Sequence, residues 1–478
     1  YDEDALLAES DPWWQLQDKT SQAKRKEVRT QTLERRGTRS LLLEGSTDVD
    51  AQKSFLGSVT EFPHLEGLQP DLYRCFMEQT WRHESPAGVV SLIHPESHFT
   101  DEKAGILRAA TYQHLRRHWQ LINEKQLFAE IHHLVSYGVH VYGSRRSSPS
   151  FLNAVSLYVP ETVERSFSHD GSGEEPGLKD TEGNWDTRPH RDRITTVDAD
   201  TLHLWTAVTG ATTPAQTPMA YAVNRTLQGV LSKITAAPRV QDHTFMFSGG
   251  WNETTDRQKG MFEVGWGAPD SWDQVILQGP HMHVGNPVYK YPNPTMKHNQ
   301  DWHFVDLEAL PAEAIPVTAY KRLAPKDIYD AAYTDWGTPG KPDPARDHYR
   351  VAWRNMAAIT GERTLIPALF PPGAAHVHTV LSAGAQDSRT LTSALASASS
   401  LLSDLSIRSS GKGHIHGETF SRLRLVLDHP LSPALHLRTL RLNCLTDAYA
   451  DLWDEVWENS FASDQWAGGR ARANRLPL

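Results

Sequence analysis

The sequence predicts an α/β fold in which the last strands of a doubly wound sheet are followed by an α+β region. Apolar residues recur at helical spacing over 72–81, and a short apolar strand at 89–93 follows a Ser-Pro-Ala-Gly turn. A second helix and further strand-like segments come next. Helix, strand, helix, strand and a terminal hairpin are together typical of the late half of a doubly wound sheet.

A helix and several strand-like segments follow the first strand. Thr100 can cap a helix, and Ile106, Leu107 and Ala110 continue its apolar face as far as Leu115 and Trp119. The strand-like segments that follow are 121–123, 135–142 and 155–159.

Changes in composition divide the chain into four regions. Residues 161–200 hold eleven acidic and five basic side chains among many Gly and Pro residues, which predicts a polar linker or insertion. The predicted regions are 1–160 (the sheet domain), 161–200 (the linker), 201–445 (an α+β region) and 446–478 (an acidic helical tail).

Composition and charge exclude several classes of protein. No apolar run approaches the ~20 residues of a membrane span, so a membrane protein is excluded. The net charge of −10 means that a nucleic-acid surface must be a local patch. Cys75 and Cys444 lie in apolar patterns and are predicted to be buried free thiols, which indicates a reducing, cytoplasmic setting. The basic segment 23–39 fits either a solvated helix or a helix that follows phosphates.

Several segments together resemble the large adenine-specific DNA methyltransferases of restriction–modification and phage-exclusion systems. The first pair, 71–78 and 86–99, reads DLYRCFME and PAGVVSLIHPESHF, and Leu107-Arg108 follows. Later segments similar to this family are 126–130, 137–143, 279–281, 285–287 and 349–368.

The resemblance implies the late half of a Rossmann-like methyltransferase sheet followed by a target-recognition region. It also implies N6-adenine methylation of double-stranded DNA, S-adenosylmethionine as cofactor, and restriction or defence-system subunits as partners. The family's Asn/Asp-Pro-Pro-aromatic motif is absent, and 11–14 (DPWW) is only a degenerate match. We therefore expect the catalytic motif and the cofactor loop to lie upstream, with this chain as the carboxyl-terminal part of a longer enzyme.

The resemblance assigns stacking of the flipped adenine to Phe128, whose alternative role is to close the core between helix and sheet. Basic residues in otherwise acidic surroundings are the candidates for DNA contact, or alternatively solvated charges. They are Lys290, Arg350, Arg354, Arg363, Lys412, Arg422 and Arg424. Arg350, Arg354 and Arg363 are expected to cluster if 350–363 forms strand–turn–strand.

The histidines are candidate metal ligands. His94 and His98 have HxxxH spacing, but Pro95 forbids a regular helix between them. The strand-alternate pairs 281/283 and 414/416 have no third ligand at metal spacing, so no metal site is predicted. Two alternative functions stay open: a non-catalytic DNA-recognition subunit and a His-dependent metal hydrolase.

Overall fold

The computed structural model describes residues 3–17, 20–296, 301–358 and 361–464 of the 478. The chain divides into two units. The described residues of Tyr1–Gly173, Lys179–Asp200 and Ala215–Thr217 form the first, and those of Glu174–Leu178, Thr201–Pro214 and Pro218–Leu478 form the second. No helix in these described ranges has the length and apolar character that a membrane span requires.

The first unit combines helices with one sheet. Its helices are α1 (Glu3–Ala8), α2 (Trp13–Leu16), α3 (Gln22–Leu33), α4 (Thr38–Leu56), α5 (Leu72–His83), α6 (Ser97–Thr100), α7 (Gly105–His114) and α8 (Glu161–Phe167). Its strands are β1 (Val89–Pro95), β2 (Leu115–Ile122), β3 (Ser136–Gly143), β4 (Phe151–Leu157) and β5 (Thr195–Val197).

The sheet has the strand order β1-β3-β2-β4-β5. Strand β3 is antiparallel to both of its neighbours, β1 and β2, so those two strands run in the same direction. Strand β4 is parallel to β2, and β5 is antiparallel to β4. The fold is therefore mixed α/β. The sheet has three strands in one direction and two in the other, which does not by itself establish the predicted doubly wound arrangement.

Local patterns predicted α5 and β1 correctly. Asp71 caps α5 by accepting a hydrogen bond from the Tyr73 amide, and the buried face of α5 includes Met77 and Trp81. The prediction of one helix from Thr100 to Trp119 is wrong, because α7 ends at His114 and the next residues form β2. This strand is paired on both sides, and those pairings override the helical spacing of its apolar residues.

The segment predicted as a polar linker contributes α8 and β5 to the first unit, and β5 extends the sheet through its pairing with β4. The basic segment 23–39 spans α3 and the start of α4, which are separated by Gly37 in the left-handed conformation (φ 85°). Its arginines bind the acidic residues of α1: Arg25 lies 2.7 Å from Asp4, and Arg29 lies 2.6 Å from Glu3. These pairs favour a structural role for the segment over a phosphate-binding one.

The second unit contains helices and several small sheets. Its helices are α9 (Ala199–Thr209), α10 (Arg225–Ile234), α11 (Thr255–Gln258), α12 (Lys326–Ala332), α13 (Ser388–Ser399), α14 (Leu401–Ser409), α15 (Gly417–Ser421), α16 (Ser432–Asn443) and α17 (Ala450–Val456). Its strands are β6 (Phe245–Ser248), β7 (Phe262–Gly267), β8 (Ile276–Leu277), β9 (Lys290–Pro292), β10 (Trp302–Phe304), β11 (Thr318–Arg322), β12 (Arg350–Arg354), β13 (Pro367–Phe370), β14 (Ala375–His376) and β15 (Val380–Ala385).

The main core of the second unit lies against the four-stranded antiparallel sheet β13-β12-β15-β6. Trp353 on β12 is fully buried, stacks on Phe420 with ring centroids 3.9 Å apart, and donates a hydrogen bond to the Ile415 carbonyl. Of the predicted acidic tail, 446–464 is described and includes α17, whereas 465–478 lies outside the described residues.

Candidate functional site

A row of polar side chains crosses the buried face of the first sheet. His118 on β2 lies opposite His140 on β3 and opposite Asn153 on β4, and Asn153 lies opposite Thr195 on β5. Residues directly opposite each other on neighbouring strands project to the same face of a sheet. Strand register therefore brings together side chains that are far apart in the sequence.

Glu96, directly after β1, completes this row. One of its carboxylate oxygens lies 2.9 Å from Nε2 of His140, and the other lies 2.9 Å from Nε2 of His118. Both histidines are fully buried and Glu96 is 6% exposed. Among the described residues these three form a group whose ligand atoms lie within 4.8 Å of one another. We call Glu96, His118 and His140 the His–Glu cluster.

The second ring nitrogen of His118 faces an amide. Nδ1 lies 2.6 Å from Oδ1 of Asn153, while the Asn153 amide nitrogen points to the Thr195 hydroxyl at 3.4 Å. With this amide orientation, Nδ1 of His118 carries a proton and donates it to Asn153. The other ring nitrogen, Nε2, faces the Glu96 carboxylate at 2.9 Å.

Other aromatic rings enclose the cluster. His94 stacks on His140 with ring centroids 3.8 Å apart, and its Nε2 lies 2.8 Å from the Tyr142 hydroxyl. The buried Phe99 ring packs 4.9 Å from His118 and 5.6 Å from His140. His98 is also fully buried, and neither of its ring nitrogens makes a hydrogen bond.

Burial governs the electrostatics of this group. Burial lowers the pKa of His94 to about 3, and it also lowers the pKa values of His98 and His140. Burial alone would raise the pKa of Glu96, but the charge and hydrogen bonds of His118 and His140 hold that pKa well below its usual range. Glu96 is thus an ionised carboxylate that is enclosed by histidine and other aromatic side chains.

Gly138 leaves the space that this carboxylate occupies. It lies opposite His94 across β1 and β3, two residues before His140 on the same strand. A methyl group at this position would collide with Oε1 of Glu96 and with the imidazole of His140. Only glycine lets the carboxylate approach β3 this closely.

His118 and His140 escaped prediction because each is a lone histidine in a strand, with no metal-ligand spacing to its neighbours. A histidine between two apolar residues of a strand, as in Val139-His140-Val141, is a signal that could have found His140, whereas His118 follows Arg117 and has no such signal. Pro95 was predicted to prevent a regular helix between His94 and His98, and it ends β1. Neither His94 nor His98 belongs to the three-residue ligand group.

Phe128 lies in the loop between β2 and β3, close to the carboxyl ends of β1 and β2. The buried Asn123 side chain holds this loop by donating to the carbonyls of Phe128 and Ile131 and accepting from the Phe128 amide. The Phe128 ring is half-buried and meets Tyr137 edge to face at 4.9 Å. It therefore contacts the core and keeps part of its surface open.

The predicted cluster of three arginines does not form one surface patch, because each guanidinium binds a different segment. Arg350 is fully buried and hydrogen-bonds backbone carbonyls, including that of His348 at 3.1 Å. Arg354 donates to the Gly279 carbonyl at 2.8 Å, and Arg363 lies 3.2 Å from Asp404. The buried Arg350 is inaccessible to DNA in this structure, which corrects its assignment as a contact.

The remaining basic candidates are half-buried. Arg424 donates hydrogen bonds to the carbonyls of Ala207 and Ala237, and so has a structural role in linking these two backbone segments. Arg422 pairs with Glu418, and it lines a cleft together with Lys412. Lys290 lies 4.2 Å from the centre of the Phe304 ring. Lys412 lies on the Gly411–Gly413 turn beside this cleft.

Asp11 of the degenerate motif has structural contacts. One oxygen accepts from the Trp13 amide at 3.1 Å, and the other lies 2.7 Å from Arg35. Trp14 is buried and donates to the Thr32 hydroxyl. The motif therefore fixes α2 against α3.

His281 of the 281/283 pair has its own backbone partners, since its Nε2 lies 3.0 Å from the Val317 carbonyl. Burial lowers the pKa of His281 to about 4. Protonation below pH 6.5 therefore favours the unfolded chain, and the loss of stability levels off below about pH 4. We expect this residue to remove about 1.5 kcal/mol of unfolding free energy between about pH 6.5 and pH 5.

Urea unfolding at both pH values measures this effect. The variant His281→Gln should have a smaller pH dependence than the wild type, and His303→Gln, which changes an exposed histidine, should match the wild type. An unchanged pH dependence in His281→Gln would contradict the prediction.

Comparisons with known proteins do not identify a family for this chain. The chain matches no family model and no curated protein. Among solved structures it is similar to the type IIG restriction endonuclease BpuSI, at 13% identity and a TM-score of 0.28. The similarity covers 85% of this chain and 49% of that one, so the chain spans about half the length of that structure. A TM-score this low does not establish a shared fold.

Proposed function

We propose that this chain is the carboxyl-terminal part of a site-specific adenine-N6 DNA methyltransferase of a restriction–modification or phage-defence system. S-adenosylmethionine would be the methyl donor, held mainly by residues upstream of this chain. The choice of family comes from the resemblance of the sequence segments. One structural observation gives the proposal its main support.

That observation is the open edge of the first sheet. Strands β1 and β2 run in the same direction, are connected through α6 and α7, and enclose the reversed β3. Within the described ranges no strand pairs with the other side of β1, and Val89 and Ile93 on that strand are 67% and 60% exposed. An exposed apolar edge strand is a template for a further strand. The cofactor-binding strands of a methyltransferase would continue the sheet from this edge.

The position of Phe128 supports the same proposal. In sheets with parallel strands, ligands bind outside the carboxyl ends of those strands. The loop that carries Phe128 directly follows the carboxyl end of β2, and Leu127, Ile131 and Leu134 in it are exposed. A flipped adenine could stack on an aromatic ring that is held here by Asn123 and still partly open.

Calorimetric titration with S-adenosylmethionine tests the proposed division of the enzyme, in which the cofactor site lies upstream of this chain. We expect no binding by this chain alone, and both binding and methyl transfer to DNA adenine once the upstream region is joined to it. Stoichiometric binding by this chain alone would contradict the proposed division. Specific DNA binding without methyl transfer in either form would favour the alternative, a DNA-recognition subunit.

The contribution of Lys412 to DNA binding can be separated from a structural effect. We expect Lys412→Ala to reduce the slope of log affinity against log salt concentration by about 1, as for one lost phosphate contact. Arg424→Ala should leave that slope unchanged and lower the unfolding free energy by roughly 1–3 kcal/mol, because it removes hydrogen bonds to two carbonyls. Equal slopes for wild type and Lys412→Ala would remove Lys412 from the interface.

A further inference from the structure

We propose that the His–Glu cluster binds one divalent transition-metal ion of the zinc class, and that this ion stabilises the first unit. Glu96, His118 and His140 would each supply one ligand atom. This inference does not depend on methyl transfer.

The ligand types and distances suit this chemistry. Imidazole nitrogen and carboxylate oxygen bind zinc at about 2.0–2.2 Å, which places tetrahedral ligand atoms about 3.4 Å apart. The contacts from Glu96 to the two histidines are 2.9 Å, so these atoms need to separate by about half an ångström, and all three ligand atoms already lie within 4.8 Å of one another. One carboxylate with two neutral imidazoles balances one of the two positive charges of the ion.

The hydrogen bond from His118 to Asn153 favours a cation in this position. A metal-binding histidine commonly donates its other ring N–H to an oxygen acceptor, which fixes the tautomer and aims the free lone pair at the metal. Nδ1 of His118 has this partner in Oδ1 of Asn153 at 2.6 Å. Its Nε2 atom is thereby aimed at the Glu96 carboxylate 2.9 Å away, so a cation held between them would have an imidazole and a carboxylate as ligands.

The surrounding residues form an enclosure around this charge. Gly138 leaves the room that Glu96 and His140 occupy, and Phe99 covers the histidines. His98 is buried beside them without a hydrogen bond for either ring nitrogen, and its ring centroid lies 6.4 Å from that of His140. His98 is therefore the nearest unused imidazole for a fourth ligand position.

The burial of the ligands distinguishes this site from a hydrolase centre. A catalytic zinc keeps one position open to water or substrate, whereas structural sites are closed. His118 and His140 have no exposed surface, so substrate does not reach them in this structure. The geometry points to a structural ion acquired during folding, rather than to the metal hydrolase considered from the sequence.

Refolding of the whole chain tests the proposal, because a chelator reaches an enclosed ion only in the unfolded state. The protein is denatured with EDTA, dialysed, and refolded with zinc chloride, with cobalt chloride or with EDTA alone. We expect about one zinc ion per chain after gel filtration and a melting temperature roughly 5 °C above that of the EDTA sample. The cobalt form should show weak visible bands and no thiolate charge-transfer band.

Variants locate the ion. His118→Gln and Glu96→Gln should each lose the bound zinc, whereas His133→Gln, which changes an exposed histidine 3.3 Å from Glu124, should keep it. If the first two variants do not fold, the cobalt spectrum of the wild type distinguishes the possible ligands. A thiolate band would place the ion at Cys75 or Cys444. Such a band, full zinc content in His118→Gln, or a wild type without zinc and without a shift in melting temperature would overturn the proposal.

Discussion

Replacing Gly138 with alanine is expected to lower the unfolding free energy of the first unit by about 4 kcal/mol. The added methyl group collides with the Glu96 carboxylate and the His140 ring, both of which are buried. Overpacking costs about 1–3 kcal/mol, and displacing one member of a buried charged network costs a similar amount or more. Urea unfolding monitored by circular dichroism measures the loss.

Gly229→Ala is the matched control. Gly229 lies inside α10, and a methyl group there meets no atom within 4 Å. The same substitution should therefore leave stability unchanged or raise it by up to about 1 kcal/mol, because alanine is the better helix former. Equal unfolding curves for Gly138→Ala and the wild type would show that the cluster is loosely packed and that strand register does not fix it.

Replacing Phe128 with alanine is expected to reduce methyl transfer to DNA adenine by about one to two orders of magnitude. Stacking of a base on an aromatic ring contributes roughly 1–3 kcal/mol, which corresponds to about 5- to 150-fold in affinity or rate. The assay uses labelled S-adenosylmethionine and the protein joined to its upstream region. Because the ring also contacts Tyr137 in the core, stability must be measured in parallel.

Two further variants separate stacking from packing. Phe128→Leu keeps most of the apolar volume against the core and removes the aromatic face, so it should lose activity while retaining stability. Phe167→Ala changes an exposed ring on α8 and should leave methyl transfer unchanged. Full activity in a stable Phe128→Leu protein would assign Phe128 to the core.

The first unit shows which structural elements local sequence patterns can predict and which they cannot. Helix α5 was predictable because Asp71 caps it and one apolar face continues to Trp81, and both signals lie within a few residues of sequence. The end of strand β2 was predicted as the strand-like segment 121–123, but its start was not, because Leu115 and Trp119 have helical spacing and only pairing with β3 and β4 makes them a strand. The arginines of the second unit show the same limit. Sequence identifies a cation at position 350, but burial decides that Arg350 binds carbonyl groups.

By itself the sequence determined the α/β class, the strand at the start of the first sheet and the resemblance that motivates the proposed function. These depend on periodicity, capping and short motifs, which are properties of neighbouring residues. Only the tertiary structure decided that Glu96, His118 and His140 meet. Their contact depends on the register of β1, β2 and β3, and a shift of one residue in any of these strands would send its side chains to the opposite face.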